Sequence, residues 1–229
     1  MRTFVLGDIH GADRALKQCL ERSSFNSSTD RLISLGDVCD GWPESAQAME
    51  RLIQLPNITL ILGNHDHMTL EWVQTGVKHP GWLSQGGSNT VDSYEGKMPE
   101  KHRQFLENAP YYLLEDDRLF VHAGIIPGLE LSEQGPDTFL WDRSLFRTAL
   151  DRKLGDREAP QTEYSEIYIG HSPIHTYGWE KPVQSGEVWM MDTGAGWTGS
   201  LCMMDIESKE VFCSDPVHTL YPPGSGRAG

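Results

Sequence analysis

Leu62-Gly63-Asn64-His65-Asp66, at the end of the apolar run Ile58-Thr59-Leu60-Ile61, sets an amide, an imidazole and a carboxylate in consecutive positions where a strand should stop. Open α/β sheets present ligand-binding residues at the carboxyl ends of their strands. A site here therefore predicts that other strands of the chain end in matching chemistry, and four do. Phe4-Val5-Leu6 leads into Gly7-Asp8-Ile9-His10-Gly11, and Leu32-Ile33-Ser34-Leu35 into Gly36-Asp37-Val38-Cys39-Asp40. Leu119-Phe120-Val121 leads into His122-Ala123-Gly124, and Ile167-Tyr168-Ile169 into Gly170-His171-Ser172. Glycine and aspartate are ordinary loop formers, so one such end would read as a turn. Five ends that set nitrogen or oxygen donors beside a glycine read as one metal centre.

The first third of the chain alternates strands with helices. Ala12 to Glu21 places Ala15, Leu16, Cys19 and Leu20 at helical spacing, and Ser23-Ser24-Phe25-Asn26-Ser27-Ser28 returns to the second strand. Pro43 can open a second helix, with Ala46, Met49, Leu52 and Ile53 on one face, before Pro56-Asn57 and the third strand. This βαβαβ order predicts a largely parallel sheet and an α/β fold. Residues 67–75 read as a short helix, the glycine-rich stretch 82–93 has no clear period, and 99–108 reads as another helix. Tyr111 to Leu114 and Leu119 to Val121 flank Glu115-Asp116-Asp117-Arg118 as a hairpin. Further strands are expected at 167–169, 188–191, 201–206 and 211–213, with a second sheet in the C-terminal half as their home. The expected organisation is one domain over residues 1–215 and a flexible tail over 216–229, where Tyr221-Pro222-Pro223-Gly224-Ser225-Gly226 has the composition of a mobile chain end.

At 229 residues the chain is long enough for one full core. Met1-Arg2-Thr3-Phe4 enters a strand directly, and no apolar run approaches the roughly 18 to 20 residues of a membrane span. A soluble cytoplasmic protein with no membrane partner is expected. With 19 basic against 33 acidic residues the net charge is −14, which argues against binding a nucleic-acid backbone. An anionic substrate would need local positive charge, and metal ions can supply it. The four cysteines, Cys19, Cys39, Cys202 and Cys213, show no CxxC spacing, so reduced thiols are expected, Cys39 being a small buried one.

Carboxylate, carboxamide and imidazole donors without thiolate suit a hard or borderline divalent ion, manganese first, with iron or zinc as alternatives. Asp8, His10 and Asp37 could hold one ion, and Asp37, Asn64, His122 and His171 a second, with Asp37 bridging. Two ions about 3.5 to 4 Å apart form a clamp for in-line displacement at phosphorus, and a water bridging them is acidified enough to attack as hydroxide near neutral pH.

As a set, Gly7-Asp8-Ile9-His10-Gly11, Gly36-Asp37-Val38-Cys39-Asp40, Gly63-Asn64-His65-Asp66, His122-Ala123-Gly124 and Gly170-His171-Ser172 resemble the motifs of the metallophosphoesterases, and within them the phosphoprotein phosphatases of bacterial and phage type. The resemblance runs from residue 4 to about residue 206 and takes in Trp82-Leu83-Ser84-Gln85-Gly86-Gly87, Phe139-Leu140-Trp141-Asp142-Arg143 and Asp192-Thr193-Gly194-Ala195. It implies a four-layer αββα sandwich with a dinuclear site at one end of two sheets, and the ligand set just given. It also implies that His65 donates a proton to the departing oxygen and that Asp40 orients that imidazole. An unprotonated alkoxide leaves poorly, and general acid catalysis is worth about 10²- to 10⁴-fold. Arg143 resembles a phosphate-contacting arginine of bacterial members.

One position departs from the pattern. Where the family usually has Asp-Arg-Gly, this chain has Asp40-Gly41-Trp42, and glycine cannot replace the bidentate contact of an arginine with phosphoryl oxygens. Arg143 is then left to carry the anion alone, in a pocket expected to be roomier and open to phosphotyrosine, nucleotides or diesters as well as phosphoserine. Trp42 and Trp197 are candidates for a substrate face, although aromatics more often pack. His67 and His175 read as hydrogen-bonded neighbours of the ligands. The expected function is a metal-dependent phosphomonoesterase acting on a phosphorylated protein or a small phosphoester, with the phosphoryl group passed directly to water. Its rivals are a diadenosine tetraphosphate hydrolase, whose motif Gly63-Asn64-His65-Asp66 also resembles, and a non-catalytic metal-binding scaffold.

Overall fold

The computed structural model describes residues 1–155 and 162–227. Its first third follows the expected order: β1 (Thr3–Leu6), α1 (Asp13–Arg22), β2 (Arg31–Ser34), α2 (Ser45–Ile53) and β3 (Ile58–Leu60). The three strands run parallel, with Phe4 opposite Leu32 and Leu32 opposite Ile58. Side chains alternate across a strand, and that alternation sets the layers. Phe4, Leu6 and Leu32 face the helices and pack with Leu16, Cys19, Met49 and Leu52, whereas Val5 and Ile33 face the opposite way. The buried stripe of α2 is Ser45, Ala48, Met49 and Leu52, with the expected Ala46 and Ile53 partly buried against the same core, and the Ser45 hydroxyl lies against Thr90.

The helix after the central motif, α3 (Asn64–Thr75), starts three residues earlier than the spacing suggested, so Asn64, His65 and Asp66 are its first turn. Asp66 explains the early start. Its carboxylate accepts the Gly63 N–H at 3.3 Å and the Val38 and Cys39 N–H groups at 2.9 and 3.1 Å, and a carboxylate is favoured at a helix N-terminus. The glycine-rich stretch is helical after all: α4 (Pro80–Trp82), a π turn over Leu83–Gly87 and α5 (Ser88–Ser93), kinked at Gly86, where φ is +102°. The next helix is α6 (Glu100–Glu107).

The hairpin forms as β4 (Tyr112–Glu115) and β5 (Arg118–Val121), with Asp116 and Asp117 both left-handed, as a two-residue turn requires. Then come α7 (Pro136–Trp141), α8 (Ser144–Leu154), β6 (Glu166–Ile169), β7 (Val183–Ser185) and β8 (Val188–Met190), giving a second sheet of order β4-β5-β6-β8-β7. The last strands, β9 (Cys202–Asp205) and β10 (Val211–Cys213), do not join it as expected. They return to the first sheet, in the order β10-β9-β1-β2-β3. All four residues of β9 are buried, and such a strand needs partners on both sides, which β1 and β10 supply.

Val5, Ile33, Ile61 and Met204 of one sheet meet Phe120, Tyr168 and Met191 of the other, with the Phe120 and Tyr168 rings stacked at 4.8 Å. On the far side Leu119, Val121, Ile167 and Ile169 pack on Phe139, Leu145 and Phe146 of α7 and α8. The result is a four-layer αββα sandwich, each fully buried aliphatic or phenyl side chain contributing about 1.5–3 kcal/mol. Among the described residues no helix is long and apolar enough to cross a membrane.

Two expectations about the C-terminal part are corrected. Cys202 and Cys213 face each other across β9 and β10 with Cα atoms 4.1 Å apart and are joined by a disulfide, leaving Cys19 and Cys39 as free, buried thiols. Alkylation of denatured, unreduced protein should therefore mark two cysteines, and four after reduction; four before reduction would remove the bridge. The tail is packed against the body. Val217–Thr219 forms a 3-10 turn, Tyr221 is buried and stacks on Trp42 at 5.1 Å, and the Asn89 amide donates to the Ser225 carbonyl at 2.9 Å. Residues 228–229 lie outside the described residues.

Candidate metal centre

The parallel strands of both sheets end on the same side. β1 delivers Asp8 and His10, β2 delivers Asp37 and Asp40, β3 leads to Asn64 and His65, β5 to His122 and β6 to His171, and all eight are buried. Four of them have left-handed backbone: His10 and Asp37 at φ 51°, Asp40 at 67° and His171 at 63°. For non-glycine residues this costs about 1–2 kcal/mol each, sustained by the surrounding fold. The neighbouring glycines serve close approach. A Cβ on Gly63 would meet Asp37 Oδ1 at 2.2 Å, and one on Gly170 would meet Asp8 Oδ1 at 2.2 Å.

Asp37 lies at the middle of the cluster. His10 Nε2 stands 3.6 Å from its Oδ2 and 3.9 Å from Asp8 Oδ2, while His122 Nε2 stands 3.4 Å from its Oδ1. The His122 Nδ1–H donates to the Leu35 carbonyl at 2.7 Å, which fixes the tautomer and leaves the Nε2 lone pair facing Asn64 Oδ1 at 2.8 Å. His171 Nδ1 lies 2.8 Å from the same oxygen, and its Nε2 is buried without a hydrogen-bond partner. At His122 two lone pairs converge with no hydrogen between them, an arrangement that fits a cation. Donor atoms of His10, Asp37 and His65 form one group within 4.8 Å of one another, and those of Asp37, His122 and His171 form another, so Asp37 is common to both.

The electrostatics agree with that fit. Burial, reinforced by Asp192 and Asp37, pushes the Asp8 carboxyl well above its ordinary value. Burial likewise raises Asp66 to about 7 and Asp192 to about 6, with Asp37 adding to both. Burial, then the neighbouring His122 and Arg143, lowers His171 to about 2, and burial holds His10 and His122 below their ordinary range, in the neutral form that ligates metals. Asp37 moves the other way: against the upward pull of burial, His122, His65, His10 and His171 hold it below its ordinary value, and an ionised carboxylate shared among neutral imidazoles is a donor set suited to divalent ions.

His65, a member of the first of the two donor groups, also faces Asp40. Its Nδ1–H donates to Asp40 Oδ2 at 2.7 Å, and its backbone N–H donates to Asp37 Oδ1 at 2.9 Å. Asp40 is fully buried and accepts two further bonds, from Trp82 Nε1–H and from the Thr90 hydroxyl, both at 2.7 Å. The stretch 82–93, unassigned from its spacing, is thus what holds the His65–Asp40 pair. Thr90 carries no motif that would have marked it.

Arg143 is exposed at the start of α8, its Nε–H donating to Ser172 Oγ at 3.2 Å, one residue from His171. Trp42 is buried, with its indole N–H on the Ala195 carbonyl at 2.7 Å, so it packs and offers no substrate face. Trp197 is 42 % exposed and Trp141, edge-on to His171 at 6.0 Å, is 39 % exposed. Sequence reading missed Arg227 altogether. Its half-buried side chain crosses the Trp197 ring at 5.2 Å and brings Nη2 within 3.3 Å of His65 Nε2.

Donors of this kind at the strand ends of an αββα sandwich are the build of a metallophosphoesterase. The model of the calcineurin-like phosphoesterase family matches residues 1–198, and the chain belongs to that family. The serine/threonine-protein phosphatase 2 of Escherichia coli is 39% identical over 97 residues, 42% of this chain and 44% of that protein. A symmetrical bis(5'-nucleosyl)-tetraphosphatase of Vibrio parahaemolyticus is 26% identical over 278 aligned positions, covering 94% of this chain and 99% of the relative. The chain spans about half the length of several other relatives that it matches, which carry the same tetraphosphatase name. A solved structure assigned as a candidate diadenosine tetraphosphatase superposes with a TM-score of 0.69 at 18% identity, over 93% of this chain and 92% of that one.

Proposed function

We propose that this chain hydrolyses phosphoric monoesters with a dinuclear metal centre, and that phosphorylated protein is its substrate class. The observation that carries the reading is the His65–Asp40 pair at 2.7 Å, with His65 reaching into one of the two donor groups that share Asp37. Asp8, His10 and Asp37 are assigned to one ion and Asp37, Asn64, His122 and His171 to the other, with manganese as the first choice. Divalent ions held there would neutralise charge on the phosphoryl oxygens and acidify a water.

The protein's own groups do the rest. Asp40, fixed by Trp82 and Thr90, holds the His65 ring by its Nδ1–H, so that Nε2 carries the proton toward the departing oxygen. Arg143, beside His171, contributes positive charge at the rim. The phosphoprotein assignment is supported by the 39% identity with the E. coli phosphatase. It is also supported by gaps inside the alignment with the Vibrio tetraphosphatase, which runs over 278 positions while covering 94% of this chain, so that relative carries internal segments with no counterpart in the aligned part of this one.

A second reading, hydrolysis of dinucleoside tetraphosphates, is favoured by the exposed indoles of Trp141 and Trp197, which flank the centre and offer π faces to bases. The two are separated by kcat/KM, in manganese, for phosphoserine and phosphotyrosine peptides against diadenosine tetraphosphate. Faster peptide turnover is expected. Faster dinucleotide cleavage would move the assignment to the second reading, and metal-loaded protein inert toward all of them would leave only a scaffold.

A further inference from the structure

Arg227 sets a cation against the centre with its Nε–H unfilled and only imidazole nitrogens near its Nη2. Nη2 lies 2.7 Å from His10 Nδ1 and 3.3 Å from His65 Nε2, and neither ring is a counter-ion. When the His10 Nδ1–H donates to the Cys39 carbonyl at 3.2 Å and Nε2 faces Asp37, that ring has no lone pair left for the guanidinium. Arg227 Nε is buried without a hydrogen-bond partner, and among the described residues no carboxylate forms an ion pair with the side chain. A guanidinium stays charged and presents five donors in a planar fork that matches phosphoryl oxygens.

The chain that carries it is fastened on both sides. Tyr221 stacks on Trp42 at 5.1 Å, and its hydroxyl accepts the Arg14 backbone N–H at 3.2 Å. Gly226 lies flat on Trp42, where a Cβ would come 2.9 Å from the indole. Asn89 donates to the carbonyls of both Ser225 and Gly41, tying the strap to the loop after β2. Gly41 itself is left-handed at φ +109°, and a Cβ there would stand 3.5 Å from Arg227 Nε. The guanidinium therefore occupies the space that a side chain at position 41 would otherwise enter.

Resting on the phosphoesterase reading, we propose that Arg227 is a phosphoryl-binding residue of this site, gripping the non-bridging oxygens of the substrate from the C-terminal strap in place of a side chain at position 41. The phosphoryl group is then held by cations on two sides, Arg227 beside His10 and His65 and Arg143 beside His171, and Arg143 does not carry the anion alone.

The test is calorimetric titration of inorganic phosphate into the manganese-loaded parent, Arg227→Ala and Arg227→Lys proteins, with metal content measured by emission spectroscopy. Loss of the forked, charge-assisted contact should weaken phosphate binding by about 10- to 100-fold in Arg227→Ala at unchanged metal content, and lysine should restore part of it. Equal phosphate affinity in parent and Arg227→Ala would overturn the inference and leave the phosphoesterase reading standing. A parent that binds no phosphate would fail that reading itself. Tighter phosphate, or metal gained or lost on substitution, would make the strap a plug or a metal-site element and would equally overturn it.

Discussion

His65→Ala should lower kcat for an alkyl phosphomonoester by about 10²- to 10⁴-fold while the protein keeps its metal. The expectation follows from how the ring is held. Nδ1 is committed to Asp40 at 2.7 Å, so only Nε2 is free to carry a proton to a leaving oxygen. An alkoxide needs that proton and a nitrophenolate hardly does, so the loss should shrink on an aryl phosphate. Asp40→Asn should follow the same order with a smaller effect, since the amide can hold the ring but not the charge that forms on it. Equal losses on alkyl and aryl esters would show that His65 acts in some other way, and loss of metal would make it a ligand.

Removing the metals should convert the centre from a stabilising element into a pH-dependent weakness. In the metal-free protein Asp66 is raised from 3.8 to about 7 and Asp192 from 3.8 to about 6, chiefly by burial, and Asp8 is raised as well. A carboxyl raised in the folded state binds protons that the unfolded chain has already released. Its contribution is complete below an unfolded value of about 4 and is lost as the pH climbs through about 6 to 7. The imidazoles of His10, His122 and His171, held neutral by burial, act with the opposite sign below about pH 6.5, so the acid is read by difference: between about pH 5 and about pH 8 chelated parent should lose about 5 to 10 °C relative to chelated Asp66→Asn. Metal-loaded protein should lose that difference, because bound ions keep the carboxylates ionised. Thermal scans of the parent and Asp66→Asn proteins, chelated and metal-loaded, decide it, and no pH-dependent difference between the two chelated proteins would show that Asp66 does not hold its proton in the folded state.

What could be read from the sequence was what is local. A glycine beside a donor at the end of an apolar run reports a strand end, and the alternation in Phe4-Val5-Leu6 and Leu119-Phe120-Val121 reports which residues face helices and which face the seam between sheets. What escaped depends on remote partners. The early start of α3 is set by the N–H groups of Val38 and Cys39, 28 and 27 residues before Asp66. The return of β9 to the first sheet is a pairing with β1 some two hundred residues upstream. Trp82 and Thr90 acquire meaning only once Asp40 is placed between them. Arg227 is a lone arginine in a segment of Gly, Pro and Ser, where composition suggests slack chain. Its one sign in the sequence is indirect, the missing side chain at Gly41.

The contact of Gly170 with Asp8 carries a mechanical consequence. Asp8 belongs to one sheet and Gly170-His171 to the other, and the His171 N–H donates to the Asp8 carboxylate at 2.9 Å across the seam. Asn64 repeats the crossing toward His122 and His171. Neither half of the molecule owns the centre, so a slip between the halves by even a fraction of a residue would spoil both donor groups at once. Occupancy of the centre and alignment of the halves are then a single degree of freedom, and a change at the outer helices that shears one sheet over the other would be felt at phosphorus without touching a ligand.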